Sequence, residues 1–276
     1  LRIEDIDSPR VKAGAAESAI EDLRWLGLDW DGDAVVQTDR LPLYEKALEE
    51  LKQHQRVYPC TCSRTDIERA ASAPHADHEA PPYPGTCSRR SVADAASLGD
   101  KPFAWRFRAS KAFSEYGDLF RGIMTDADKF GGDFVVWKSA GTPAYQLAVV
   151  VDDAACGVNE VIRGDDLVPS TPRQLQLYDA LGLHPPVFCH VPLVVGPDGR
   201  RLAKRHGDAR LKSLREAGVT AETLIGFLAW SCGWQSAQTP ISARDLIPSF
   251  RLDTIPRSAF VLQPNHLRNI AGGREV

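Results

Sequence analysis

The sequence predicts an α/β chain, with a parallel sheet and its crossover helices interrupted by an inserted module and closed by a small helical piece. Three observations carry that expectation. Leu147 to Val151 is a short valine-rich run ended abruptly by Asp152 and Asp153, which suits a strand buried on both faces of a parallel sheet. Glu160 to Arg163 reads as a second short strand, and Gly164, Asp165 and Asp166 lead on to Ser170-Thr171-Pro172, the pattern of a helix start. Apolar residues recur at helical spacing from Ala15 to Leu26, so helices alternate with strands as βαβ units require.

In chain order, Leu1 to Ile3 is the tail of a strand and Ser8-Pro9-Arg10 a helix start. A second helix runs from about Pro42 to Gln53. Tyr58 to Arg90 is polar, carries several prolines and breaks the rhythm, so it reads as an insertion, with a loop over Ala70 to Pro84. Residues 103–151 are β-rich, Gly141-Thr142-Pro143 forming a turn between Phe134 to Trp137 and Ala144 to Val151. A Gly196-Pro197-Asp198-Gly199 turn follows. Helical spacing returns from Thr220 to Gly233, and a short capped helix is expected at Ser242.

At 276 residues and 43% hydrophobic content the chain can bury one large core and a smaller satellite. No run approaches the ~18 apolar residues of a membrane span, and Leu1 opens no signal sequence, so a cytoplasmic protein without a membrane partner is expected. Six cysteines over this length do not form a disulfide framework, and no disulfide-linked partner is expected. The net charge of −4 announces no nucleic-acid partner. Local clusters at Arg89-Arg90, Arg200-Arg201 and Lys204-Arg205 would have to supply phosphate contacts, with Arg64 beside the insert a further candidate.

Two sets of residues carry chemistry. Cys60, Cys62 and Cys87 supply three thiolates, one short of the tetrahedral shell that zinc prefers, and on chemical grounds His75 or His78 would complete it. Four protein ligands would make that metal structural, since no position remains for water. Arg163, at a strand end where open α/β sheets bind ligands, offers a planar fork for a carboxylate or phosphate. Taken alone, Asp152, Asp153, Asp165 and Asp166 serve equally as turn and cap residues, and Arg201 to Arg205 as a solvated basic turn.

The stretch from Ala144 to Arg173 resembles the catalytic core of class I aminoacyl-tRNA synthetases of the glutamyl type. Four segments agree in order and spacing: Leu1-Arg2-Ile3-Glu4-Asp5-Ile6-Asp7 with Arg10, Tyr58-Pro59-Cys60-Thr61-Cys62-Ser63-Arg64, Tyr83-Pro84-Gly85-Thr86-Cys87, and Arg201-Leu202-Ala203-Lys204-Arg205. The likeness covers essentially the whole chain and is nearest to a truncated branch of that family. It implies a Rossmann-like catalytic domain over residues 1–57 and 133–195, with an inserted zinc-binding acceptor module over 58–132. A loop of the K-M-S-K-S kind and a helical stem-contact-like subdomain would occupy 196–276.

The same likeness assigns roles. Glu4 and Tyr145 would bind the α-amino group of glutamate and Arg163 its side-chain carboxylate, while Tyr83 would be the fourth zinc ligand in preference to either histidine. Lys204 matches the second lysine of the mobile loop and would meet charge building on the departing pyrophosphate of ATP, with Arg201 in place of the first lysine and magnesium accompanying the nucleotide. Ala203 stands where the motif has serine. The family's His-x-Gly-His-like element has no counterpart here, so by the family pattern about one βαβ unit of ~30 residues is missing upstream. By the same pattern, the short stretch after His206-Gly207 is expected to hold no separate anticodon domain. The implied activity is ATP-dependent activation of L-glutamate and its transfer to the queuosine base in the anticodon of tRNA(Asp). The alternatives are the catalytic fragment of an ordinary glutamyl-tRNA synthetase and a non-catalytic RNA-binding paralogue.

Overall fold

The computed structural model describes residues 1–6, 11–70, 83–110, 115–125, 132–202 and 211–272. The expected helix start at Ser8, both candidate histidines and Lys204 lie outside these described residues.

Strand β1 (Arg2–Ile3) runs through helix α1 (Ala15–Trp25) to β2 (Val35–Val36), which pairs parallel to it with Arg2 opposite Val35. Helix α2 (Leu41–Gln53) carries Pro42 in its first turn and buries Tyr44, Ala47, Leu48 and Leu51, the i, i+3, i+4, i+7 stripe of an amphipathic helix. Next come β3 (Val57–Cys60), α3 (Arg64–Ala70), β4 (Ala104–Phe107), β5 (Tyr116–Asp118), β6 (Gly122–Met124) and β7 (Phe134–Trp137). Strands β3, β4 and β7 form an antiparallel sheet in that order.

The valine-rich run is not a strand. Residues Tyr145–Ala155 form helix α4, in which Leu147, Ala148, Val149, Val150, Asp152 and Asp153 are all buried. A helix enclosed on every side reads as apolar all round, and a five-residue window cannot separate it from a buried strand. The expected turn is present, Gly141 N–H bonding to Lys138 O at 3.0 Å and Lys138 N–H to Thr142 O at 2.8 Å, but it delivers the chain into a helix. The β-rich character therefore ends at Trp137. The two aspartates are consequently not strand-end residues. Asp152 accepts from Gln37 Nε2 at 2.8 Å, Arg40 Nε at 2.7 Å and the Tyr44 hydroxyl at 2.8 Å, while Asp153 takes Arg2 Nη1 at 2.5 Å. Carboxylates at a helix C-terminus oppose its dipole, so these tertiary partners are what holds them there, and they tie α4 to the β1–β2 unit.

The second strand and helix start are where the sequence places them. Strand β8 (Glu160–Gly164) crosses through α5 (Thr171–Ala180), whose first turn holds Pro172, to a parallel β9 (Val187–Val191). Strand β5 joins β9 in parallel and β6 joins β5 antiparallel, giving the order β6-β5-β9-β8. This four-stranded sheet is thus mixed, with parallel pairing between β5, β9 and β8. After β10 (Val194–Val195) and the turn closed by Gly199 N–H on Gly196 O come α6 (Leu211–Glu216), α7 (Ala221–Ser231), α8 (Ala243–Leu246), β11 (Phe260–Val261) and α9 (Pro264–Ile270). Thr220 caps α7 and Ser242 caps α8 through their side chains.

One apolar cluster gathers Leu51, Val57, Phe107, Val136, Leu147, Val150, Leu177 and Phe188 from α2, both larger sheets, α4 and α5. Each such side chain contributes ~1.5–3 kcal/mol on burial. A second cluster of Leu214, Val219, Leu224, Phe227, Leu262 and Ile270 packs against Trp25 and Leu26 at the end of α1. Among the described residues no helix is long and apolar enough to cross a membrane.

Candidate functional site

Parallel pairing of β8 with β9 sets Arg163 directly opposite His190, with α5 beside them. Arg163 donates from Nε to His190 Nε2 at 3.0 Å, from Nη1 to Gln174 Oε1 at 2.9 Å and from Nη2 to the Thr171 hydroxyl at 2.7 Å. Its guanidinium also lies 5.0 Å from the centre of the Phe188 ring. Every one of these partners is electrically neutral, and Arg163 has no carboxylate ion-pair partner among the described residues. Burial lowers its pKa, opposed by the Tyr145 and Tyr116 hydroxyls and Asp153, but a guanidinium stays charged at any physiological pH. Most of its N–H donors are engaged by protein, so a ligand meets a rigid cation whose charge is not yet compensated.

Tyr145 opens α4 and is 39% exposed. Burial raises the pKa of its hydroxyl; Arg163 opposes that shift and Glu4 adds to it. Tyr145 therefore lies within electrostatic reach of both Glu4 and Arg163, although the three come from the ends of β1, α4 and β8. Arg2 holds Glu4, its Nε and Nη2 reaching Oε1 at 3.1 and 3.0 Å, while its Nη1 holds Asp153. Gln174 Nε2 donates to Gln146 Oε1 at 3.0 Å and Gln146 Nε2 to the Ser170 hydroxyl at 3.0 Å, so the starts of α4 and α5 are clasped beside Arg163.

At the mouth of β8, a Cβ on Gly164 would stand 2.7 Å from both Asp166 Oδ1 and Leu193 Cδ2, so only glycine fits there without displacement. Asp165 pairs with Arg121, and Asp166 with Arg201 at 2.9 Å. Arg201, whose side chain is 74% exposed, thus reaches back to the end of β8, whereas Lys204 lies outside the described residues.

In the insert, the sulfurs of Cys60, Cys62 and Cys87 lie within 4.8 Å of one another. The Cys62 and Cys87 sulfurs are 3.7 Å apart, and the Tyr83 hydroxyl is 3.4 Å from Cys60 Sγ, 3.8 Å from Cys62 Sγ and accepts from Cys87 N–H at 2.7 Å. Burial pushes the Cys87 thiol up, but the Thr61 backbone, the Tyr83 hydroxyl, the Cys62 thiol and the Arg90 charge outweigh it and bring Cys87 to about 7. This donor set could hold a metal ion. Arg106 stacks 3.8 Å over the Tyr83 ring, and Arg90 Nη1 is turned inward to Pro59 O and Thr61 Oγ1, both at 3.3 Å. Arg64 and Arg89 are exposed.

Residues 1–268 match the family described as tRNA synthetases class I (E and Q), catalytic domain. The chain belongs to that family. A Glutamyl-Q tRNA(Asp) synthetase of Rhodopirellula baltica is 54% identical over 245 residues, spanning 84% of this chain and 74% of that protein. Another from Symbiobacterium thermophilum is 45% identical over 99% of this chain and 88% of its own length. A glutamate–tRNA ligase of Geobacter sulfurreducens is 36% identical over 97% of this chain. The crystal structure of a glutamate–tRNA ligase from Elizabethkingia meningosepticum superposes with a TM-score of 0.75 at 23% identity, covering 98% of this chain, which is a likeness of fold. The chain spans 57% and 61% of the length of those two ligases. As a family of ligases, class I synthetases make this chain's relatives enzymes.

For this synthetase-family chain, sequence reasoning missed the residues that hold Arg163. Asp118 accepts from the N–H groups of Phe120, Arg121 and His190 and lies 2.6 Å from His190 Nδ1. The spacing of Thr171 and Gln174 on one face of α5 was a usable signal; nothing local marks Asp118 or His190. Burial lowers the His190 pKa; the Asp118 hydrogen bond opposes this, and the Arg163 and Arg121 charges reinforce it. Burial raises that of Asp118, but the hydrogen bonds from Arg121, His190 and Phe120 prevail and hold it below the ordinary carboxylate value. For both groups the unfolded chain takes up a proton at a pH where the folded one does not. The stability they contribute is therefore complete above their unfolded values, about 6.5 for His and 3.9 for Asp, and is lost as pH falls through the depressed folded ones. Thermal unfolding midpoints are expected to drop between about pH 7.5 and 5.5, with a shallower slope in His190→Gln. An equal slope in the variant would place the titration elsewhere.

Proposed function

We propose that the chain is the catalytic part of an enzyme that activates L-glutamate with ATP and transfers it to the queuosine base in the anticodon of tRNA(Asp). The observation that carries this reading is a cation, Arg163, held only by neutral acceptors, with the Tyr145 phenol within electrostatic reach of both it and the Glu4 carboxylate. That set complements an amino acid bearing a second carboxylate. Arg163 would take the side-chain carboxylate, Glu4 and the Tyr145 hydroxyl the ammonium group. The α-carboxylate is then left to attack the α-phosphorus of ATP, brought with magnesium. Lys204, which follows Arg201 in the sequence, would neutralise charge on the departing pyrophosphate, where it is worth most in the transition state.

The names of the more similar relatives support queuosine in tRNA(Asp) as acceptor: those called Glutamyl-Q tRNA(Asp) synthetase are 40–54% identical, the glutamate–tRNA ligases 36–39%. In this reading residues 1–57 and 133–195 form the catalytic domain, 58–132 the acceptor module and 196–276 the lysine loop with its helical subdomain. Cys60, Cys62, Tyr83 and Cys87 would hold zinc. Zinc–sulfur bonds of about 2.3 Å and a zinc–oxygen bond of about 2.0 Å place tetrahedral edges near 3.8 Å between sulfurs and near 3.5 Å between sulfur and oxygen. Three of the six separations, 3.7, 3.4 and 3.8 Å, lie near these values, which supports the reading. Such a metal would hold the insert together.

With the full reading frame that carries this chain, labelled glutamate is expected to enter queuosine-containing tRNA(Asp) and to leave tRNA(Glu) unlabelled. Lys204→Ala should slow activation while barely changing the apparent affinity for glutamate. Label at the 3′ end of tRNA(Glu) would transfer the protein to ordinary glutamyl-tRNA synthesis, and absence of any adenylate would favour an RNA-binding role.

A further inference from the structure

We propose that His190 is a positioning residue for substrate recognition: a neutral imidazole, locked by Asp118, that fixes the Arg163 guanidinium without cancelling its charge. The inference rests on the reading that Arg163 holds the side-chain carboxylate of glutamate. His190 is fully buried on β9 in direct register with Arg163, and its two ring nitrogens have different partners. The Asp118 carboxylate, an acceptor only, lies 2.6 Å from Nδ1, so that nitrogen carries the proton. Nε2 is then unprotonated and accepts from Arg163 Nε at 3.0 Å, with the Thr171 hydroxyl 3.2 Å away.

Asp118 is itself held in place by hydrogen bonds. Its oxygens accept backbone N–H groups of Phe120 at 3.0 Å, Arg121 at 2.8 Å and His190 at 3.1 Å, so the tight turn after β5 clamps the carboxylate that clamps the ring. The chemistry of the relay follows from the order of its members. A carboxylate bonded directly to Arg163 would fix it equally well but would neutralise it, and a substrate carboxylate would then gain little by entering. An imidazole inserted between the two holds the same geometry and keeps the negative charge one ring away. The guanidinium is therefore orientated before substrate arrives, which spares the ordering cost at binding. A neutral glutamine side chain cannot draw on the uncompensated charge, so the same relay sharpens discrimination between the acid and its amide.

The test is glutamate-dependent pyrophosphate exchange by the protein of the full reading frame, with His190→Phe, His190→Gln and Arg163→Ala. Phenylalanine substitutes a somewhat larger aromatic ring without either nitrogen; glutamine restores an acceptor near the Nε2 position. His190→Phe should raise KM for glutamate about tenfold or more, with KM for ATP unchanged and kcat at saturating glutamate within about threefold, and His190→Gln should recover most of the loss. An unchanged glutamate KM in His190→Phe, with Arg163→Ala inactive, overturns the role of His190 alone. So does a loss spread equally over both substrates and not recovered by glutamine. Activity retained in Arg163→Ala removes the reading on which the inference rests. If His190→Phe does not fold, nitrogen NMR of histidine-labelled parent protein decides: an Nδ1-protonated ring at neutral pH is required, and an Nε2-protonated or doubly protonated ring overturns the proposal.

Discussion

Arg163→Ala is expected to abolish glutamate-dependent pyrophosphate exchange. The substitution removes the cation and at the same time strips His190, Gln174 and Thr171 of their shared donor. A substrate carboxylate left unpaired in a part-buried site costs on the order of 2–5 kcal/mol, a loss of about 30-fold to several thousand-fold in kcat/KM. Arg163→Lys should recover little, because an ammonium group cannot reproduce three divergent anchors and still face the ligand. Steady-state exchange over a range of glutamate concentrations measures this directly. Unchanged exchange in Arg163→Ala, or equal use of glutamine by the parent enzyme, would place the carboxylate elsewhere.

Cys62→Ala should take zinc content from close to one per chain to close to none and loosen the insert. Metal affinity in a site of this kind is folding free energy, on the order of 10 kcal/mol, and Cys62 approaches both Cys87 and the Tyr83 hydroxyl. The readouts are metal analysis after dialysis and amide exchange in β3 and in Tyr83 to Arg90, where protection should collapse while that of α5 persists. Tyr83→Phe should weaken retention against a chelator, and His78→Ala should not. The reverse pair of results would move the fourth ligand from the phenol to the imidazole.

What could be read locally was read from the chain itself. Pro42 and the 44, 47, 48, 51 stripe announce α2, Thr171-Pro172 announces α5, and Gly196 to Gly199 announces its turn, because caps, turns and amphipathic stripes depend on residues within a few positions of one another. The C-x-C pair and Cys87 pointed to a metal cluster for the same reason: ligand spacing is a local property even when its geometry is not. The family likeness named Glu4, Tyr145 and Arg163 from motifs far apart, and in the fold Tyr145 feels the charges of both Glu4 and Arg163.

The rest belonged to tertiary structure. Helix or strand over Tyr145–Ala155 turned on what surrounded it, since total burial erases the periodicity that distinguishes the two. Asp152 and Asp153 look like turn residues in the sequence and prove to be buried anchors only when Gln37, Arg40, Tyr44 and Arg2 arrive from more than a hundred positions away. Asp118, Arg163 and His190 form one relay because β8 and β5 both pair with β9, and strand register, unlike a motif, leaves no mark on neighbouring residues. The sequence by itself determined which chemical groups this protein has and where its local elements start. The packing of strand against strand and helix against sheet decided which of those groups meet, because burial and register are set by contacts between distant segments.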